Sequence, residues 1–254
     1  MSTSTSTQLQ DTAVIVTGAG SGIGRATARA AAEQGARVLA VGRRHDALVA
    51  TARDHPGIVC HPADITAPDA PDTIAQAART RLGRIDALVN NAAILGGGPL
   101  GTTTRTQAIR LFDTNLIAPM LLSQAVVGDL ESTGGVIANV STSVGQRGWA
   151  GSGPYAASKV ALESLTRSWA VELAPRGVRV VAVAPGAIAT PIGVNNGMSP
   201  QRREEIRTWQ VARTPMGRRG RPEEVAWALC ALIGRQASFV TGVVLPVDGG
   251  AVVG

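Results

Sequence analysis

Short apolar runs alternate along the chain with longer segments that mix small apolar and polar residues. Residues 13 to 18, AVIVTG, form the first run, and residues 22 to 35, GIGRATARAAAEQG, form the first mixed segment. A short apolar run that ends at glycine is typical of a buried parallel strand, and a longer mixed segment closed by glycine is typical of a helix. The alternation therefore predicts successive β–α–β units.

The complete pattern predicts an α/β fold. Strands are predicted at residues 13–18, 36–42, 57–64, 85–93, 134–143, 178–186 and 242–250, and helices at residues 22–35, 70–83, 154–177 and 221–234. We expect a Rossmann-type doubly wound sheet of seven mainly parallel strands with helices on both faces. The 254 residues, 44% of them hydrophobic, suit one catalytic domain over residues 13–254. The polar residues 1–12 are predicted to be a disordered tail.

Composition narrows the classes of function. The formal net charge of +6 raises the question of nucleic-acid binding. The arginines form only short scattered clusters and few aromatic residues are available for base stacking, so a local anionic ligand is favoured and nucleic acid is not. Cys60 and Cys230 are predicted to be reduced thiols in a cytoplasmic protein, and no histidine has zinc-ligand spacing with them, so no metal site is predicted. We expect no signal peptide and no membrane span.

A glycine-rich loop follows the first predicted strand and opens the first predicted helix. The segment TGAGSGIG at residues 17–24 contains Gly18, Gly22 and Gly24, which allow a tight turn and a close approach to a pyrophosphate. The helix that follows offers free N–H groups and the positive end of its dipole. The context predicts a dinucleotide-binding site.

The end of the second predicted strand bears on the choice of dinucleotide. Folds that prefer NAD usually place Asp or Glu there, to accept a hydrogen bond from the ribose 2′-hydroxyl. Here Gly42 ends the strand, and Arg43 and Arg44 follow. Because arginine can bind a 2′-phosphate through charge-assisted pairs, this favours NADP(H) over NAD(H). The alternative is that both arginines are solvated surface charges.

Tyr155 is the single tyrosine of the chain and Lys159 the single lysine, and they lie four positions apart in YAASK. Residues at i and i+4 share one face of a helix. A nearby ammonium is expected to lower the pKa of a phenol, so Tyr155 can serve as a general acid and base. Arginine cannot replace a compact point charge. The alternative is a structural phenol beside a surface amine.

Taken together, these motifs resemble the short-chain dehydrogenase/reductase family, in its subgroup of about this length. Further marks are Asp64, NNAA at residues 90–93, Asn115, STS at residues 141–143, PGAIAT at residues 185–190 and the closing TGVVLPVDGG. The resemblance implies that the diphosphate lies along Gly18, Ser21, Gly22, Ile23 and Gly24. It implies an adenine site at Asp64 and Ile65, and cofactor contacts from Asn91, Ala92, Pro185, Gly186, Ile188 and Thr190. It also implies a catalytic set of Tyr155, Lys159 and Asn115, and a homotetramer.

The sequence departs from the family pattern at two positions. Ala93 stands where the family usually has glycine. Thr142 stands thirteen residues before the tyrosine, where the family usually has serine, and Ser141 and Ser143 flank it. Threonine keeps the hydroxyl that would bind a substrate oxygen, although its methyl restricts χ1. Thr142 is therefore the predicted catalytic hydroxyl, and Ser143 is the alternative if the strand ends early.

The segment at residues 191–215 is predicted to be a substrate lid. Ile192, Met198 and Trp209 would supply apolar contacts, and Trp149 a further wall. These residues favour a small-molecule secondary alcohol or ketone on a mainly apolar skeleton. A 3-oxoacyl reductase that acts on carrier protein or CoA chains, and a non-catalytic NADP-binding sensor, are the alternatives.

Overall fold

Seven parallel strands form a single sheet in the computed structural model, which describes residues 8–146 and 148–254. The strands are β1 Ala13–Thr17, β2 Arg37–Gly42, β3 Ile58–Pro62, β4 Ala87–Asn90, β5 Val136–Val140, β6 Arg179–Pro185 and β7 Val244–Val247. Their spatial order is β3-β2-β1-β4-β5-β6-β7. The chain switches direction between β1 and β4, and ligands bind at such a switch point, outside the carboxyl ends of the strands. The predicted fold class is confirmed.

Helices cover both faces of this sheet. They are α1 Gly22–Glu33, α2 His45–Ala52, α3 Ala70–Leu82, α4 Arg105–Phe112, α5 Ala118–Thr133, α6 Gly153–Leu173, α7 Ile192–Asn195, α8 Pro200–Ala212 and α9 Pro222–Ile233. A π-helical turn, Asp113–Ile117, joins α4 to α5. The pattern of the sequence predicted α1, α3, α6 and α9, whereas α2, α4 and α5 were not assigned.

Alternate residues of each strand build two separate cores. Successive strand side chains point to opposite faces, so Val14 and Val16 pack in one cluster with residues of α1 and α9. Ala13 and Ile15 pack in the other cluster with residues of α3, α5 and α6. All five residues of β1 are buried, as expected for a central strand covered on both faces. The two layers hold the carboxyl ends of the strands in a fixed arrangement at one edge.

The N-terminal expectation needs correction over residues 8–12. Leu9 is fully buried in the α1 side of the core, and its N–H donates to the carbonyl of Gln34 at 3.2 Å. Thr12 accepts a hydrogen bond from Arg37 N at 2.9 Å and so leads directly into the sheet. The burial of Leu9 and these two hydrogen bonds hold residues 9–12 against the domain. Residues 1–7 lie outside the described residues.

The helix through Arg105–Thr133 also differs from expectation, because its length and composition would allow it to cross a bilayer. The core helix of a globular domain can have the same length and composition. Leu122, Val126 and Leu130 are buried in the cluster shared with α3 and the sheet. We therefore assign this helix to the core of the domain.

Candidate active site

A cleft of about 1090 Å³ opens at the carboxyl ends of the strands. Its walls contain most of the residues predicted to bind a cofactor: Gly18, Ser21, Gly22, Ile23, Arg43, Arg44, Asp64, Ile65, Asn91, Ala92, Pro185, Gly186, Ile188 and Thr190. Thr142, Tyr155 and Lys159 lie on the same walls. Ala93, the position that departs from the family pattern, lines the cleft as well. The fold thus brings residues from seven separate segments to one place.

The glycine loop fits a dinucleotide by its shape. Gly18 and Gly22 have φ angles of +66° and +53°, in the left-handed region that favours glycine. A Cβ atom at Gly18 would lie 2.8 Å from Asn91 Nδ2, and one at Gly24 would lie 2.4 Å from the same atom. Gly24 is buried behind the cleft wall and allows the close packing of α1. The loop therefore forms a side-chain-free cradle at a helix N-terminus, the arrangement that accepts a pyrophosphate.

Thr17 and Asn91 hold this cradle against β4. Asn91 Nδ2 donates to the Thr17 carbonyl at 2.8 Å, while Thr17 Oγ1 accepts from Asn91 N at 3.0 Å and Ala92 N at 3.1 Å. The same hydroxyl donates to Val89 O at 3.2 Å. Sequence reasoning did not single out Thr17, although it is the first residue of the TGAGSGIG motif. Its role is to fix the position of the loop.

Arginine surrounds the far end of the cleft, where the adenosine part of a dinucleotide would lie. Arg43 and Arg44 are exposed, and Arg43 Nη1 lies 4.0 Å from Asp64 Oδ2. Asp64 Oδ1 accepts hydrogen bonds from the Thr66 N–H at 3.1 Å and from its hydroxyl at 2.9 Å. Gly42, at the end of β2, brings no carboxylate to the ribose position. The local charge therefore suits a phosphate.

Burial dominates the ionisation of Tyr155. Part of its ring still faces the cleft, but the surrounding protein withdraws the phenol from water and raises its pKa to about 12, against an opposing hydrogen bond with Thr142. This corrects the expectation that the ammonium lowers this pKa. Lys159 Nζ donates to the carbonyl of Val140 at 2.7 Å. The phenol is protonated at neutral pH in this state.

Lys159 is itself strongly perturbed. The side chain is only 2% exposed, and burial lowers the pKa of the ammonium from 10.5 to about 8. A pKa near this value leaves the group mostly charged at neutral pH. Lysine tolerates such a shift, whereas an arginine would keep its charge and its bulk.

Asn115 lies beside the cleft rather than on its wall. The π-helical turn presents its side chain to the segment after β4, where Nδ2 donates to Ile94 O at 3.0 Å and Oδ1 accepts from Ile94 N at 2.9 Å. Nδ2 also donates to Ser158 Oγ at 3.2 Å, and Ser158 Oγ donates to the Tyr155 carbonyl at 2.7 Å. Asn115 therefore links the floor of the cleft to the helix that carries the tyrosine.

The structure separates the three candidate hydroxyls. β5 ends at Val140, and Thr142 lies on the cleft wall within hydrogen-bonding reach of Tyr155. The Ser141 hydroxyl donates to Glu163 Oε1 at 2.7 Å and is used there. Ser143, the alternative hydroxyl and a candidate substrate contact, is buried at the start of a 3₁₀ turn and does not line the cleft. The early end of the strand thus does not favour Ser143.

The predicted lid folds as α7 and α8 over the cleft. Ile192 and Met198 line it as expected. Asn195 Nδ2 donates to Ser21 Oγ at 3.4 Å, and Asn196 Oδ1 accepts from Leu95 N at 3.1 Å. These bonds connect the lid to the glycine loop and to the segment after β4.

Trp149 and Trp209 do not line the cleft, which corrects their predicted placement. Their rings contact each other edge to face, with centroids 4.5 Å apart, and the Arg213 guanidinium lies 4.6 Å from the Trp209 ring. The pair joins α8 to the loop before α6 instead. Of the two other tryptophans, Trp227 is 71% exposed on α9 and Trp169 is partly buried.

This fold and cleft define the class of α/β proteins that bind a dinucleotide at the switch point of a parallel sheet. The family model described as enoyl-(acyl carrier protein) reductase matches residues 18–252. The chain is 38% identical to a 3-oxoacyl-(acyl-carrier-protein) reductase of Thermotoga maritima, over 97% of this chain and 100% of the relative. It is 37% identical to an L-xylulose reductase of Bos taurus, over 93% and 94% of the two chains.

A solved structure also resembles this chain in fold. The 3-ketoacyl-(acyl-carrier-protein) reductase of Brucella melitensis, complexed with NADH, superposes with a TM-score of 0.89 at 31% identity, over 96% of this chain and 100% of that chain. The chain belongs to the short-chain dehydrogenase/reductase family. It is an oxidoreductase of a family that binds a nicotinamide cofactor and acts on CH–OH and C=O groups.

Proposed function

We propose that the protein is an NADP(H)-dependent oxidoreductase that interconverts a secondary alcohol and a ketone, with Tyr155 as the general acid and base. The observation that carries the proposal is the convergence of Tyr155, Thr142 and Lys159 on one wall of a cleft whose opposite end is a glycine cradle. The non-catalytic alternative would have no use for a hydrogen-bonded phenol and hydroxyl at this place.

The two hydroxyls would hold the substrate oxygen. Thr142 donates one hydrogen bond to the carbonyl oxygen and orients it toward Tyr155. Tyr155, protonated at neutral pH, donates its proton to the oxygen as the alcohol forms. The bound cofactor supplies the hydride. In the reverse direction Tyr155 accepts the alcohol proton, which a pKa of about 12 makes the harder role unless nearby positive charge lowers it.

Lys159 and Asn115 would support the same step. Lys159 keeps an ammonium beside the catalytic wall and can donate hydrogen bonds to the nicotinamide ribose as well as to Val140 O. Asn115 fixes the backbone at Ile94 and, through Ser158, the start of α6. It would also support a water-linked path by which Tyr155 regains its proton.

Preference for NADP(H) rests on Arg43 and Arg44. Both line the adenosine end of the cleft, and no carboxylate ends β2. Titration of NADPH and NADH into the purified protein tests this: we expect tighter binding of NADPH, and loss of the difference in Arg43→Ala. Equal affinities in the wild type would reject the preference and leave the catalytic proposal standing.

A 3-oxoacyl reductase activity is the second candidate. It is favoured by the similarity to the Thermotoga maritima protein over nearly the full length of both chains. Turnover of a 3-oxoacyl thioester on CoA and on a carrier protein, compared with simple ketones, decides between the two. A preference for the thioester of at least tenfold in kcat/KM would favour the second candidate.

Assembly and location complete the proposal. Val171 on α6, Trp227 on α9 and Phe239 are 79%, 71% and 103% exposed in the single chain. A homotetramer would cover such residues, and a cytoplasmic location suits the two free cysteines. Light scattering of the purified protein is expected to give four chains per particle, and a monomer would contradict this.

A further inference from the structure

Arginine residues on the lid and in the loop that follows it differ in their partners. Four form ion pairs on the outer surface: Arg202 with Glu205, Arg207 with Glu204, Arg218 with Glu224 and Arg221 with Glu224, at 2.9, 2.7, 2.7 and 3.9 Å. Arg213 lies 4.6 Å from the Trp209 ring. Arg203 and Arg219 line the cleft instead, and neither forms an ion pair within the part of the chain that the structure describes. The arginines on the outer surface thus have a carboxylate or an aromatic ring as partner, whereas the two in the cleft have no carboxylate partner.

The surroundings of Arg219 favour the binding of an anion. Nη2 donates to the Ile188 carbonyl at 2.6 Å, which holds the guanidinium beside the PGAIAT segment at residues 185–190. Nε is buried and has no hydrogen-bond partner among the described residues. Burial and the charge of Arg207 lower the pKa of the Arg219 guanidinium. A partly buried cation with a buried, unsatisfied Nε donor costs free energy, and an anionic ligand that accepts from Nε reduces that cost.

Arg203 and Arg110 bring further positive charge to the cleft. The aliphatic stem of Arg203 passes close to Gly193 of the lid, where a Cβ would lie 3.4 Å from Arg203 Cγ. Arg110, on α4, supplies a further cation to the lining, and Asp113 is an acidic residue there. Three arginines against one aspartate make this region attractive to anions.

We propose that the substrate carries an anionic group, a carboxylate or a phosphate monoester, which Arg219 and Arg203 bind. Their guanidinium groups can bind either group through paired hydrogen bonds. Ile192, Met198 and neighbouring apolar residues contact the carbon skeleton. This inference rests on the proposed function and narrows its substrate class. Arg43 and Arg44 lie at the other end of the cleft and serve the cofactor.

Matched substrates test the proposal directly. The first pair is 4-oxocyclohexanecarboxylate and its neutral amide, 4-oxocyclohexanecarboxamide, and the second is dihydroxyacetone phosphate and dihydroxyacetone. We expect one anionic ketone to exceed its neutral partner by at least about tenfold in kcat/KM, since a hydrogen bond to a charged group is worth roughly that factor or more. Which pair shows the gain identifies the anion as carboxylate or phosphate.

Variants assign the effect to the two arginines. Arg203→Met and Arg219→Met should each lower kcat/KM for the preferred anion about 10- to 100-fold and change the neutral partner little. Arg202→Met, on the same helix but paired with Glu205 outside the cleft, is the matched control. Arg203 is exposed, so its variant should fold even if Arg219→Met does not. Equal kcat/KM within both pairs would overturn the proposal. So would equal losses on both partners in Arg219→Met, accompanied by weaker NADPH binding, because Arg219 would then serve the cofactor.

A binding measurement separates this proposal from the catalytic one. Cyclohexanecarboxylate has no carbonyl to reduce, and calorimetry can compare it with cyclohexanecarboxamide on the NADPH complex of wild type, Tyr155→Phe and Arg203→Met. Binding of the acid that survives Tyr155→Phe and is lost in Arg203→Met supports the carboxylate site even where no ketone turns over. Turnover of neutral ketones that depends on Tyr155, with no preference for either anion, overturns the site and leaves the proposed function intact.

Discussion

The perturbed ionisation of Lys159 leads to a measurable pH dependence of stability. Burial lowers its pKa from 10.5 to about 8, so between these values the unfolded chain binds a proton that the native protein does not. Stability therefore rises with pH in this window, by up to about 1.4 kcal/mol per pH unit. From about pH 7 to about pH 9.5 the expected gain is about 2 kcal/mol. Lys159→Met removes this contribution.

The assay is urea unfolding of the cofactor-free wild type and of Lys159→Met across this pH range. The difference in unfolding free energy, wild type minus variant, should grow by about 2 kcal/mol, because the other titrating groups are common to both chains. The upper limit avoids the range in which Tyr155, whose pKa is raised to about 12, would lower stability with rising pH. A difference that stays constant, or shrinks with pH, would refute the inference that the Lys159 ammonium is held at a desolvation cost.

Two further predictions concern the catalytic wall and the glycine loop. Thr142→Ala should lower kcat on the order of 100-fold or more and leave NADPH affinity unchanged. Ser143→Ala, which lies off the cleft, should lower kcat only slightly. Steady-state kinetics and a cofactor titration measure the two variants. Gly24→Ala puts a Cβ 2.4 Å from Asn91 Nδ2 and should destabilise the protein by about 1–3 kcal/mol and weaken cofactor binding. Gly148→Ala, with no described atom within 4 Å of its Cβ, is the control for thermal unfolding and calorimetry.

The strands and the glycine loop could be predicted from the sequence because each depends on a short stretch of neighbouring residues. A buried run such as residues 13–18 and a glycine at a positive φ angle need no knowledge of distant contacts. The resemblance to the family also pointed to Thr142, thirteen residues before Tyr155, and the fold brings this hydroxyl and the phenol together. Periodicity indicates α5 poorly, because apolar residues cover much of its surface and a π-helical turn precedes it.

The remaining features depend on tertiary contacts that no local pattern shows. Trp149 and Trp209 were placed on the substrate wall, but their rings meet each other across a gap of sixty residues in the chain. The pKa of Tyr155 rises because burial outweighs the hydrogen bond with Thr142, and that burial depends on tertiary packing. The burial of Leu9 was not predictable from the sequence either, because it depends on contacts with α1 and Gln34.

The central claim is that Tyr155 transfers the proton in a nicotinamide-dependent reduction. The most direct test compares wild type and Tyr155→Phe for oxidation of NADPH in the presence of a ketone that the wild type reduces, with NADPH affinity measured for both. The phenyl ring keeps the packing and removes only the hydroxyl, so we predict similar affinity and a fall in kcat of at least about 100-fold. A Tyr155→Phe variant that binds NADPH and reduces the ketone at the wild-type rate would contradict the claim.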